Sequence, residues 1–403
     1  MKHTRTALVV GGGIAGPAVA MALQKAGIEA TVYEAQPHAA HREGAFLTLA
    51  SNGIDALRVL DADRPALDVS FATPTITLRS ATAKRLGDTR TGGTLPDGTT
   101  SRTIKRSDLH HVLHEEAARR GISVEHGRRL VAAQGSPHGV VALFADGTEA
   151  AADVLIGCDG VHSTVRRIID ADAPAPTYGG LLNTGGFTGG VAVPAAPGSY
   201  EMIFGKRAFF GYVRAPDADE VWWFANVPCP SEPKRDAPMD LSAETWHPRL
   251  LDLYGGDAGP AAELIERSPR VMPLTPIHTL PHLPRWHRDR MVVVGDAAHA
   301  PSPSSGQGAS LAIEDALVLA QALRDAPSAA AALERFCALR RPRAERIIKW
   351  AARMNSAKAP GPVGRLLRDM MLPTILRLTA DSNAHRQIYD HHISWDLPVG
   401  ATV

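Results

Sequence analysis

The start of the chain switches between two rhythms of apolar residues. Ala7–Val10 is an unbroken apolar run ending in Gly11-Gly12-Gly13, Ile14–Lys25 carries apolar residues at helical spacing, Gly27 interrupts, and Ala30–Tyr33 is strand-like again. That order predicts a βαβ unit. Further on, Leu109, Val112, Leu113 and Ala117 recur at helical spacing between Ser107 and Arg120, with Ser107 placed as N-cap and Gly121 behind the segment. From Val124 short strands alternate with turns such as Asp146-Gly147, and Val154-Leu155-Ile156 reads as a buried strand running into Gly157-Cys158-Asp159-Gly160.

Between about Tyr178 and Pro228 the pattern changes to glycine-punctuated, aromatic, alternating segments (YEMIF, AFFGYV, EVWWFANV), which predict an antiparallel sheet distinct from the first and covering a substrate. The Pro/Ala-rich stretch at 171–176 connects the two layers. Met291–Val294 is another buried strand, ending in Gly295-Asp296, and beyond Gly308 the chain is predicted helical almost to its end.

Charge narrows the partners. With 43 Lys+Arg against 42 Asp+Glu, no net field favours nucleic acid or a membrane surface. Cys158, Cys229 and Cys337 are odd in number, far apart and without CxxC spacing, which fits idle thiols of a cytoplasmic protein, and the seventeen histidines show no metal spacing. The basic start followed by an apolar run imitates a signal peptide, but its glycines have another use, and no apolar stretch reaches the roughly 20 residues of a membrane span.

That use is a dinucleotide loop. Gly11-x-Gly13-x-x-Gly16 lies between strand and helix, so backbone N–H groups along Gly11, Gly13, Ile14, Ala15 and Gly16 can face a pyrophosphate at the helix N-terminus. Glu34, at the end of the second strand, can accept from ribose hydroxyls, and a carboxylate there suits an unphosphorylated ribose. The motif alone does not separate FAD from NAD, and a glycine-rich turn beside a solvated glutamate would read similarly.

Two further segments, Val154-LIGCDGVHSTVR-Arg166 and Met291-VVVGDAAHAPSPSSGQGASLAIEDA-Ala316, complete a set. Together with the N-terminal loop they resemble, in order and spacing along most of the chain, the three fingerprints of the class A flavoprotein monooxygenases, the para-hydroxybenzoate and salicylate hydroxylase family. The resemblance implies an α/β fold: a Rossmann-like FAD-binding domain, an antiparallel β-sheet substrate domain and C-terminal helices. The corresponding division is an FAD-binding domain at 1–177 with inserted strands at about 66–104, a substrate sheet at 178–275, a second FAD-binding part at 276–325 and a helical segment at 326–403.

The resemblance also implies roles. Asp296 would hold the ribityl chain, as an acceptor at a strand end can. Gly306, Gln307, Gly308 and Ala309 would aim N–H groups at the flavin's pyrimidine edge. Asp159 belongs to the DG fingerprint near the pyrophosphate, Arg106 matches a cofactor-contacting arginine, and Leu130 offers backbone to adenosine. Plainer readings stand beside these: a turn cap for Asp296, an Asp-Gly turn, a surface arginine, a core leucine. The chain also departs from the pattern. His41 stands where relatives carry an arginine, leaving Arg42 as the candidate flavin contact; Ser51-Asn52 replaces a common Pro-Asn; and Ser310 replaces an asparagine.

The implied reaction takes hydride from NADPH or NADH onto FAD and, through a flavin hydroperoxide, puts one atom of O2 into a small molecule, an arene first among candidates. Same-fold epoxidases, N-hydroxylases and reductases of natural-product tailoring are the alternative, and a non-catalytic flavin-binding protein a further one; the protein would act as a monomer or homodimer. Water must be kept out, and the aromatic strands can supply a lining. Because strand neighbours alternate faces, Phe210, Tyr212, Trp222 and Phe224 are the candidate lining, with Pro303 beside them, although each aromatic can equally be ordinary core. Arg207 and Arg214 are candidate partners of an anionic substrate or plain surface residues. No general base is named, and His299 reads as structural.

Overall fold

The computed structural model describes residues 4–37, 45–233, 242–356, 362–379 and 383–401. The predicted βαβ unit is present as Thr6–Val10, Ala15–Lys25 and Glu29–Glu34. It sits inside a six-stranded sheet ordered His287–Arg288, Met291–Val293, Val154–Gly157, Thr6–Val10, Glu29–Glu34, Ser123–His126, parallel except at the His287–Arg288 edge. Parallel strands are covered on both faces and read as continuous apolar runs; accordingly Leu8, Val9, Leu155, Ile156, Val292 and Val293 are all buried. The three fingerprints therefore end on neighbouring strands, because Val10 pairs with Gly157 and Gly157 with Val293.

One cap differs from expectation. The helix runs Arg106–Arg119 with Lys105 in the N-cap position and no side-chain cap, while Ser107 lies inside the first turn and donates to Asp108 at 3.1 Å. The chain enters this helix directly from the Arg102–Lys105 strand, held by the Arg106 N–H on the Ala45 carbonyl (3.2 Å), which leaves no intervening residue to cap it.

The second sheet has seven strands, ordered Thr275–Thr279, Thr177–Gly189, Glu220–Pro228, Phe209–Arg214, Ser199–Phe204, Thr75–Ser80, Arg85–Arg90. All pairs are antiparallel except Ser199–Phe204 with Thr75–Ser80. The Ala243–Tyr254 and Ala261–Glu266 helices cover one face through Trp246, Leu250, Tyr254 and Leu264. The other face meets Phe46 of the short Phe46–Leu49 strand. Helices Gly308–Asp325, Ala329–Ser356, Pro362–Thr379 and Asn383–Tyr389 close the chain. Among the described residues, no helix is long and apolar enough to cross a membrane, no cluster of three or more His, Cys, Asp or Glu is placed to hold a metal, and all three cysteines are free and buried.

Candidate functional site

The glycine loop is built for close approach. Gly11 has φ +107°, and a Cβ there would lie 2.4 Å from the Cys158 carbonyl oxygen; a Cβ on Gly16 would lie 2.0 Å from the Gly11 oxygen. Only glycine lets the first strand, the loop and the helix touch in this way. A Cβ on Gly13, by contrast, would meet nothing within 4 Å, so this residue faces open space. Glu34 receives the Gly12 N–H on Oε2 at 2.7 Å and the Gln36 N–H on Oε1 at 2.8 Å. A carboxylate has about four lone-pair sites, so acceptor capacity remains for a ribose. The Arg128 N–H donates to the Glu34 carbonyl at 2.8 Å, which brings the backbone leading to Leu130 beside this end of the crevice, while the Leu130 side chain is core.

Asp296 occupies the turn after Met291–Val293. Its side chain is exposed, yet desolvation by its surroundings pushes its carboxyl pKa upward, against the opposing pull of His299 and Arg106. An acid both reachable and poorly solvated suits the wall of a ligand cradle. Arg106 is exposed on the facing helix start. Asp159 is spent differently: Oδ1 accepts from Ser163 Oγ at 2.5 Å and Oδ2 from the Thr164 and Val165 N–H groups at 2.6 and 3.0 Å, so its carboxylate caps the Thr164–Ile169 helix. Burial nevertheless raises its pKa. Arg166 joins the two fingerprints from Nη1 to the Ala297 carbonyl at 3.1 Å.

Gly306, at φ +60°, turns the chain into the Gly308–Asp325 helix, with Gln307 in the cap position and Ala309 in the first turn. Beneath this turn Asn52 Nδ2 donates to Gln307 Oε1 at 3.0 Å and to Glu314 Oε1 at 2.7 Å. Burial would raise the Glu314 pKa, but Arg340 and Arg343 outweigh it and hold the carboxyl far below its ordinary range. Ser310 is fully buried and accepts the Ala50 N–H at 3.2 Å, so it serves as a brace here.

The aromatic sheet corrects the predicted lining. Register pairs Tyr212 with Trp223 and Phe210 with Ala225, so Phe210 and Tyr212 share a face with Trp223, not with Trp222 and Phe224. Phe210 stacks on Trp223 with centroids 5.5 Å apart and meets Tyr254 edge-on at 5.3 Å, and all three of Phe210, Tyr212 and Trp223 are 0% exposed beneath the covering helices. They are core. Trp222 and Phe224 lie on the other face, where Phe46 approaches Trp222 at 5.6 Å, Phe224 at 6.0 Å and Phe187 at 6.4 Å, and where Phe46, Phe187 and Phe224 are only half-buried. Gly211 makes room: a Cβ there would sit 2.4 Å from the Phe224 ring.

That face adjoins the crevice through one strand. Phe46 packs on Trp222, and Thr48, two residues on, would lie 3.7 Å from a Cβ on Gly306; a Cβ on Gly308 would lie 3.8 Å from Asp296 Oδ1. The Tyr200 hydroxyl, bonded to Thr48 Oγ1 (3.1 Å) and Thr103 Oγ1 (2.7 Å), is pushed up to about 12 by burial and forms part of the same wall.

Pro303 is exposed at the start of a short turn. Arg207 pairs with Asp252 at 2.8 Å on the surface, Arg214 is exposed, and His299 is buried against Asp315. Arg42 and His41 lie outside the described residues. Sequence reasoning missed Phe46 and Thr48, since a four-residue strand FLTL carries no sign of what it faces.

The FAD binding domain family matches residues 4–351. The aurachin C monooxygenase/isomerase of Stigmatella aurantiaca is 31% identical over 88% of this chain and 90% of its own length. A 3-amino-4-hydroxybenzoate 2-monooxygenase of Streptomyces platensis is 31% identical over 93% of this chain and 94% of its own. In fold, the Klebsiella pneumoniae HpxO complex with FAD and uric acid superposes with a TM-score of 0.83 at 23% identity, covering 95% of this chain and 97% of that one.

Proposed function

The chain belongs to the FAD binding domain family, among the class A flavoprotein monooxygenases, and from that premise we propose that it hydroxylates a small aromatic or heteroaromatic molecule, using NADPH or NADH and O2 on this single chain. The observation that carries the reading is the continuity from Asp296 through Gly308, Gly306 and Thr48 to Phe46, Trp222 and Phe224. A cofactor cradle and a half-buried aromatic face share one wall.

Bound FAD supplies hydride acceptance and oxygen activation. The chain's own residues bind, orient and dry. In this reading Gly13, Ile14, Ala15 and Gly16 offer N–H groups to the pyrophosphate, Glu34 holds the adenosine ribose, and Asp296 with Arg106 holds the cofactor's polar middle. Gly306 to Ala309 present the N-terminus of an 18-residue helix to the ring's electron-accepting edge, where its dipole favours negative charge. Phe46, Phe187, Trp222 and Phe224 exclude water above it. Lys105, with Nζ 4.6 Å from the Phe187 centroid and 5.0 Å from that of Trp222, tethers the outer end of this face and lies 3.7 Å from Glu220.

The test is a screen of phenols, aminobenzoates and nitrogen heterocycles for stimulated oxidation of NADH and NADPH by the FAD-loaded protein under labelled O2. The reading expects a product carrying one labelled oxygen. Substrate-independent NAD(P)H oxidation yielding only peroxide, or a product lacking the label, overturns it; label in an epoxide or on nitrogen assigns the chain to the alternative chemistries of the fold.

A further inference from the structure

Outside the expected cofactor contacts, two histidines converge on a single atom. His110 Nε2 lies 2.9 Å and His114 Nε2 2.6 Å from the carbonyl oxygen of Gly12. Both project from one helix, one turn apart, with ring centroids 4.1 Å apart and ring planes inclined by 29°. A carbonyl only accepts, so each ring carries its proton on Nε2. Burial lowers the His114 pKa, against the opposing effect of the Gly12 bond.

The atom they hold matters because of what lies on the other side of the peptide. In a trans peptide the carbonyl of Gly12 and the N–H of Gly13 point in opposite directions, and no described peptide is cis. With the Gly12 oxygen drawn toward the Arg106–Arg119 helix, the Gly13 N–H is aimed away from it, on the residue that faces open space. The two preceding N–H groups are already used: Gly11, expected on the pyrophosphate, donates instead to the Tyr33 carbonyl at 2.8 Å, and Gly12 donates to Glu34 at 2.7 Å. Three consecutive glycines offer little steric resistance to a peptide flip, and a flip would turn the Gly12 carbonyl, instead of an N–H, toward the pyrophosphate.

We propose that His110 and His114 are positioning residues of the dinucleotide site, which lock the Gly12–Gly13 peptide so that the Gly13 N–H meets the pyrophosphate. The inference rests on the loop's reading as the FAD pyrophosphate site, and not on the hydroxylation reaction. Its signature is confined to the ADP half of the cofactor. A ring that merely filled space would affect every ligand of the fold alike.

The experiment measures dissociation constants of FAD, ADP and riboflavin for flavin-stripped protein, in wild type, in the His110→Phe/His114→Phe double variant and in the His110→Gln/His114→Gln double variant. Phe keeps a ring and removes the donor; Gln keeps an N–H donor of similar reach. The Phe pair should weaken FAD and ADP by the same factor, roughly tenfold or more for two lost hydrogen bonds, and leave riboflavin unchanged, while the Gln pair stays close to wild type. ADP binding within twofold of wild type in the Phe pair overturns the inference, as does equal loss for ADP and riboflavin, or a Gln pair as weak as the Phe pair. If the Phe pair does not fold, His114→Phe alone is read on the same ADP-to-riboflavin split. A protein that passes these tests but hydroxylates nothing overturns the proposed function and leaves this inference standing.

Discussion

His299 Nε2 sits 2.5 Å from Asp315 Oδ2, with both side chains buried. The same carboxylate accepts the Gly295 N–H at 3.0 Å and, through Oδ1, Arg340 Nε at 2.7 Å. One acid thus ties the Gly295-Asp296 turn to two helices. Because Arg340 also reaches Glu314 at 2.7 Å, replacing Asp315 with Leu leaves a buried guanidinium half-paired and a backbone N–H without its acceptor. Loss of one partner of a buried pair costs about 3–5 kcal/mol. Asp315→Leu is therefore expected to lower the urea midpoint sharply at pH 7; an unchanged midpoint would show that the network carries no net stability.

Asp296 behaves in the opposite sense. Its side chain is exposed and its pKa is raised by desolvation, so its charge is a cost to the flavin-free fold that cofactor contacts would offset. Asp296→Ala should weaken FAD binding by roughly tenfold or more, the scale of a charge-assisted hydrogen bond, while the melting temperature of flavin-free protein holds or rises. Flavin fluorescence titration and thermal denaturation read the two effects separately. Unchanged affinity would remove Asp296 from the cofactor site.

The contrast between legible and illegible parts of the site follows from range. The tight turn at Gly11 and Gly16 and the strand-end positions of Glu34 and Asp296 could be read because they are local: a strand end, a turn and a helix start lie within a few residues, and parallel pairing of buried strands brings such ends together. The aromatic lining could not be read. Alternation along one strand is local, but whether Phe210 shares a face with Trp222 or with Trp223 depends on the register across the turn between the strands, and which face packs against the strand beside Gly306 depends on Phe46, remote in sequence. The same holds for Asp159: its Asp-Gly pair was visible, but its engagement in capping the next helix needed three-dimensional distances.

That correction separates two aromatic substitutions. Trp222→Ala opens the face shared with Phe46 and Phe187 and should raise peroxide release per NAD(P)H consumed, or the substrate KM, in steady-state coupling assays. Phe210→Ala removes a ring stacked on Trp223 in the covered core and should cost about 3–5 kcal/mol of stability with coupling preserved. Wild-type coupling in Trp222→Ala, or uncoupling without destabilisation in Phe210→Ala, would reverse the assignment of faces.

Stability should also fall with acid in two stages. Burial depresses His391 to about 4, reinforced by Arg343, Arg340 and His392 and opposed by Glu314; an unfolded histidine titrates near 6.5. Between those values the unfolded chain binds the proton and the folded one does not, so stability rises with pH there. The contribution is complete above about pH 6.5 and is lost as pH falls toward 4, to an extent of at most about 3 kcal/mol. His114 and His287, also depressed chiefly by burial, add to this upper stage. The lower stage belongs to Glu314 and Asp315, whose pKa values are held below the ordinary range by their cationic partners, and it opens only as pH passes below about 4.3, where unfolded carboxylates take up protons. His391→Gln should flatten the pH dependence of the urea midpoint of FAD-loaded protein between pH 7 and 4.5 and leave the steeper fall below pH 4 in place. Equal slopes for variant and wild type across the upper window would show that the His391 ring is not desolvated in the folded protein.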